Sequence, residues 1–143
     1  MLMREIKRGY TVVELLIAMT IGGLMLAIAI PRGAALLDRI SVHAAVGDIH
    51  ATLSLARSIA LAGGTAVAID VDSANGVLRV RRGGEVLVSR GLAGAHGIRL
   101  SRTRDSLTYD PRGLGRGAAN LSLIVRRGSA AETVFVSRLG RVR

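Results

Sequence analysis

The stretch from Lys7 to Ile30, KRGYTVVELLIAMTIGGLMLAIAI, restricts the fold of this chain more than any other. It begins with a basic pair and a glycine, then runs from Tyr10 to Ile30 with Glu14 as the single charged residue. At about 1.5 Å per residue a helix of that length reaches roughly 31 Å, enough to cross a hydrocarbon core of about 30 Å. An ordinary membrane anchor and a cleaved secretory signal are the plain readings, and Ala27-Ile28-Ala29 could serve as a signal cleavage site. The apolar run is longer than a signal needs. A carboxylate inside it is also costly, about 2.5 to 3.5 kcal/mol at a helix centre and less near the interface, so an acid there calls for a function and a partner.

Lys7-Arg8-Gly9-Tyr10-Thr11-Val12-Val13-Glu14-Leu15-Leu16 resembles the prepilin signal of type IV pilins and type II secretion pseudopilins. That signal has a short basic leader ending in Gly, an aromatic residue, an apolar run, and Glu at the fifth position after the cut. The family usually has Phe where this chain has Tyr10. The resemblance implies cleavage by prepilin peptidase between Gly9 and Tyr10, N-methylation of Tyr10, and a filament-assembly role for Glu14. Physical reasons accompany it. Gly9 lets an extended leader enter a protease without side-chain obstruction, and the basic leader holds that end in the cytoplasm. In a filament, Glu14 of one subunit can face the Tyr10 amine of a neighbour, so that two costly charges offset each other.

The rest of the chain is expected to form one domain. There is no cysteine to staple it or to supply thiolate ligands. The net charge is +10, almost all of it after Pro31, and the sole lysine is Lys7. Pro31 predicts a kink or short break, after which the helix resumes. Val42, Val46, Ile49, Leu53, Ala56 and Ala60 form one apolar stripe, and Gly63-Gly64 supplies the stop, giving a helix from about Tyr10 to Leu61. Period two then takes over. Strands are predicted at Thr65 to Val71, Val77 to Arg82 and Glu85 to Arg90, with tight turns at Asn75-Gly76 and Gly83-Gly84; Leu78 and Val80 face inward and Arg79 and Arg81 outward. Gly91 to Gly97 reads as loop, Ile98 to Ser101 and Leu107 to Tyr109 as short strands, and Asp110 to Ala119 as turn and loop. Leu121 to Arg127 and Glu132 to Leu139 read as a hairpin around Gly128-Ser129. The fold class is α+β: a long N-terminal helix, membrane-spanning in its first half and amphipathic in its second, packed on antiparallel β-sheets.

With that plan the chain resembles the GspH/FimT group of minor pilins and pseudopilins. Ala51 to Ala60 resembles its "ARSEAI" segment, Tyr109-Asp110-Pro111-Arg112-Gly113 its "F-x-x-x-G" turn, and Gly140-Arg141-Val142-Arg143 its "GRxR" ending. The resemblance implies a leader at 1–9, a transmembrane and polymerisation helix at 10–30, and a periplasmic helix with a β-rich domain at 31–143. It implies other pilins or pseudopilins, prepilin peptidase and the inner membrane as partners, with the N-terminus cytoplasmic.

No catalytic constellation stands out, and the chain reads as a non-enzyme without cofactor or metal. His43 and His50 lie seven apart on one helix face, but with no third ligand in register a solvated face is the better reading. Gly113 to Gly117 lacks the strand-to-helix setting of a nucleotide loop. The arginines carry more. Arg126 and Arg127 on the last hairpin and Arg138, Arg141 and Arg143 in the tail, taken here as a free end, are either a solvated surface or a phosphate-contacting face. The tail resembles the ending that contacts DNA in DNA-uptake members of the group. With aromatic residues scarce, any such binding falls on phosphates and is sequence-tolerant. Three functions stay open: a pseudopilus subunit in protein secretion, a minor pilin that binds DNA for natural transformation, and a single-pass anchored binding protein that never polymerises.

Overall fold

The structure is a computed structural model that describes residues 10–116, 120–137 and 139–143. They fall into two compact units, one up to Ala34 and one from Ala35 to Arg143. The leader, with Gly9, lies outside the described residues, as do 117–119 and Arg138.

Helix α1 is assigned from Val12 to Gly63, with Pro31 inside it. Its start is fixed locally: the Thr11 hydroxyl oxygen accepts from the Glu14 backbone N–H at 3.2 Å, which satisfies one of the orphan donors of the first turn. Spacing the two residues three apart is the capping-box pattern, and an acid there also suits the positive end of the helix dipole. From Val12 to Ile30 the large apolar side chains are exposed all round the helix.

The second unit contains the remainder of α1, and there the exposure becomes one-sided. Val42, Val46, Ile49, Leu53, Ala56 and Ala60 are all buried, as the stripe predicts, together with Ala45 and Thr52. Thr52 satisfies its buried hydroxyl by donating to the Asp48 carbonyl at 2.7 Å.

Two antiparallel sheets close over that face. In chain order the strands are β1 (Val67–Asp72), β2 (Val77–Arg82), β3 (Glu85–Gly91), β4 (Arg99–Arg102), β5 (Ser106–Tyr109), β6 (Gly115–Arg116), β7 (Leu121–Arg127) and β8 (Ala130–Val136), with a short helix α2 (Leu92–His96) before β4. The first sheet runs β3-β2-β1-β5-β6 and the second β4-β7-β8. Alternation decides what is inside: Val67, Ile69, Val71, Leu78, Val80, Leu107 and Tyr109 from the first sheet meet Leu100, Leu121, Leu123, Val125, Val134 and Val136 from the second in one core with α1.

Four expectations need correction. The β1–β2 connection is a four-residue loop, since Asp72 pairs with Val77. The Asp72 carboxylate accepts from the Asn75 backbone at 3.1 Å and its amide at 2.9 Å, which starts the loop two residues before the Asn-Gly pair and holds the Asp72 carboxyl below its ordinary range. Residues Leu92–His96 are helical, because the φ of +63° at Gly97 lets its N–H close on the Ala93 carbonyl at 2.9 Å. Gly115–Arg116 pairs with β5 as an edge strand rather than continuing as loop. The last strand begins at Ala130 and stops at Val136.

The stop at Val136 changes the tail. Ser137 accepts the Gly140 N–H and donates to the Arg141 carbonyl, both at 2.9 Å, so the chain reverses. Phe135 and Arg143 then exchange two backbone hydrogen bonds, at 2.8 and 2.9 Å. Instead of a free end, residues 141–143 extend the second sheet along the edge of β8, with a bridge between Val136 and Val142.

Candidate functional site: a basic cleft under the tail

The five arginines singled out in the sequence are not one patch. Arg127 is spent on the fold: its guanidinium donates to Asp38 at 3.1 Å and Ser41 at 2.9 Å, and to the His96 carbonyl. That ties α1, α2 and β7 together. Arg126, next to it, is exposed and pairs across the sheet with Arg99. The tail arginines are bonded beside Phe135, whereas Arg126 lies opposite Ala131. Four residues of strand separate those positions, about 13 Å at the usual rise. Arg138 lies outside the described residues.

Arg141 and Arg143 do come together, and with residues from elsewhere. They rim a cleft of about 400 Å³ whose other walls include His50, Ser54 and Arg57 of α1 and Tyr109 of β5. Among the described residues no Asp or Glu side chain lines it. Three chain segments build it. Helix α1 contributes Arg57 through the turn that also buries Leu53 and Ala56. The turn after β5 is braced by the Asp110 carboxylate, which accepts from the backbones of Arg112 and Leu114 at 2.9 Å each. A Cβ at Gly113 would come within 3.0 Å of the Arg57 Nε, so that turn sits directly on the guanidinium. Gly140 brings the tail in: its φ is +70°, and a Cβ there would lie 2.7 Å from the Gly113 carbonyl and 3.0 Å from the Tyr109 ring. Only glycine permits that approach without displacement.

Two polar atoms at this junction are buried without a partner among the described residues, Arg57 Nε and the Tyr109 hydroxyl. Burial pushes the Tyr109 hydroxyl up from its ordinary pKa, with the Arg57 charge pulling weakly the other way. Arg57 is the residue that sequence reasoning missed. It lies off the apolar stripe of the helix, and its meeting with Tyr109 and the tail depends on contacts far apart in sequence.

The histidines do not converge. His96 hydrogen-bonds Asp48 at 2.8 Å, His43 lies 3.7 Å from Glu132, and His50 lines the cleft. Among the described residues no group of three side chains suited to metal binding forms.

The family described as type II transport protein GspH matches residues 45–140. The chain belongs to the GspH family. The prokaryotic N-terminal methylation motif matches residues 6–30, which contain Gly9, Tyr10 and Glu14. Type IV minor pilin FimU of Pseudomonas aeruginosa has a similar structure: 18% identity, TM-score 0.62, covering 73% of this chain and 88% of that chain. A second crystal form of FimU gives 16% identity, TM-score 0.58, and coverage of 71% and 90%. At such identities the likeness concerns the fold, an apolar N-terminal helix with antiparallel sheets packed against it. No curated protein sequence matches the chain. GspH proteins belong to the minor pilins and pseudopilins of type II secretion and type IV pili, and the methylation motif fits a membrane-held start for this one. In this GspH chain the cleft's helix wall and the Tyr109–Gly113 turn fall within the matched region, and the tail arginines follow immediately after it.

Proposed function

We propose that this GspH-family chain is a structural, non-enzymatic subunit of a type II secretion pseudopilus or a type IV pilus. It is made with a leader of residues 1–9, cut by prepilin peptidase between Gly9 and Tyr10, and methylated on the Tyr10 amine. Residues 10–30 hold it in the bacterial inner membrane, N-terminus cytoplasmic, with 31–143 in the periplasm. The same helix packs among its copies once the subunit enters a filament.

The observation that carries this reading is the apolar helix itself. Val12 to Ile30 exposes Leu, Ile, Val and Met on every side, a surface that water does not tolerate and that lipid or neighbouring helices must cover. Glu14 sits one turn from its start, within reach of a neighbour's Tyr10 amine in a staggered bundle. A single-pass anchor that never polymerises has no use for that acid.

The bond to Thr11 in the first turn comes from the Glu14 backbone N–H, so any side chain at this position leaves it in place. Two substitutions therefore probe the side chain alone. Glu14→Gln keeps its length and removes the charge; Glu14→Ala removes the side chain. Both variants are expected to insert in the membrane and be processed, and both to be missing from filaments. Normal incorporation of Glu14→Gln would show that the charge has no part in assembly. A secretion ATPase and outer-membrane channel encoded beside the chain would assign it to secretion, and other minor pilins to a pilus.

A second reading has its own support in the cleft: the gathering of Arg57, Arg141 and Arg143, with no Asp or Glu side chain among the described lining residues, favours binding of duplex DNA through its phosphates, as in uptake for transformation. Such binding is sequence-tolerant and falls steeply with salt. Arg141→Ala with Arg143→Ala should weaken it at least about tenfold at low salt, given two lost phosphate contacts. Binding unchanged in that variant, or indifferent to salt, would remove DNA from the account.

A further inference from the structure

Around the tail, cationic and neutral donors converge from three directions on a space that no Asp or Glu side chain among the described residues lines. Arg57 comes from the helix, Arg141 and Arg143 from the tail, Tyr109 from the floor, and Ser54 and His50 from the rim. A buried donor normally has a partner, and leaving one without costs about as much as a hydrogen bond is worth, more when it is charged. Among the described residues two go without, the Arg57 Nε and the wholly buried Tyr109 hydroxyl. Arg57 is also unlike the domain's other partly buried arginines: Arg79 and Arg102 meet Asp72 and Asp105, and Arg127 meets Asp38.

We infer that the cleft is a seat for a single phosphate-class oxyanion, in which Arg57 and Tyr109 are the recognising groups and Arg141 and Arg143 close over the ligand. Arginine forks fit phosphate oxygens in pairs. A carboxylate offers two oxygens in one plane, whereas donors from the helix, the floor and the tail suit a tetrahedral group. The volume, about 400 Å³, leaves room for whatever the phosphate is esterified to. The oxyanion is either free phosphate or a phosphodiester of a nucleic-acid strand. In the second case the seat deepens the DNA reading and rests on it: one backbone phosphate lodges in the cleft while neighbouring ones meet the outer arginines.

The test uses the full chain in detergent micelles at fixed ionic strength, titrated separately with inorganic phosphate and with a short DNA duplex while arginine side-chain N–H signals are followed by NMR. The seat predicts a saturable shift of the Arg57 Nε–H signal with phosphate. Arg57→Lys keeps the charge and loses the fork, and should weaken phosphate binding by about tenfold, the size of one hydrogen bond to a charged group. Tyr109→Phe removes an unpartnered hydroxyl without opening a cavity and should weaken it several-fold. Arg116→Gln, which removes a charge outside the cleft, serves as the control. Phosphate binding through Arg57 with no duplex binding keeps the seat and ends the DNA reading. Duplex binding that Arg57→Lys weakens no more than the control keeps the DNA reading and overturns the seat. An Arg57 signal that phosphate leaves in place overturns the seat whatever the variants do.

Discussion

Tyr109 concentrates the site's energetics in one residue. Its ring fills the core and its hydroxyl is buried beside Arg57 with no acceptor among the described residues. Burial raises its pKa in the folded chain above the unfolded value, so the neutral phenol is favoured by folding. Its contribution is fully present below the unfolded pKa, about 10, and is lost as pH rises through the folded one. The melting temperature should therefore fall above about pH 10 in the wild-type chain, and clearly less in Tyr109→Phe. An equal fall in both would show that the phenol does not titrate with unfolding. The domain has no lysine to blur that alkaline limb, since the sole one is Lys7. Single residues were unevenly legible in the sequence. Glu14 announced itself by being a charge where charges are expensive. Arg57 did not, because an arginine on an amphipathic helix reads as solvent-facing until a turn more than fifty residues later arrives on top of it.

At the scale of elements, what was legible followed from periodicity. The stripe Val42 to Ala60 and the inward pair Leu78 and Val80 are buried where spacing put them. What was not legible depended on partners distant in sequence. Gly115–Arg116 carries no alternation and becomes a strand only because the edge of β5 receives it. Side-chain bonding of Asp72 to Asn75 outcompeted the two-residue turn that Asn-Gly suggests. The tail, lacking apolar alternation, read as a free end, yet Gly140 lets it fold back on β8. Arg127 shows the same dependence: from sequence one of a basic pair, in the fold a tie between α1, α2 and β7. Arg127→Gln should lower stability by about 1 to 3 kcal/mol, because Asp38 loses its charged partner, while Arg126→Gln should stay within about 0.5 kcal/mol. Comparable denaturation midpoints for the two would mean the Asp38 bridge contributes nothing.

The molecule as a whole joins two surfaces with opposite demands. Residues 10–30 present an apolar helix that needs lipid or other helices around it, and the domain from Ala35 presents net positive charge, part of it gathered at one cleft without an Asp or Glu side chain among the described residues. In the proposed account the first surface serves membrane storage and polymerisation, and the second holds a ligand once the subunit is outside the membrane. In the proposed account polymerisation depends on the chain's being shortened at Gly9, since Glu14 needs a free amine at Tyr10 for its neighbour to offer. The most direct test is the intact mass of this chain in filaments isolated from cells that make it. A chain that begins at Tyr10 and carries one added methyl group is the predicted result; a chain still bearing residues 1–9, or one found in the membrane and never in filaments, would contradict it.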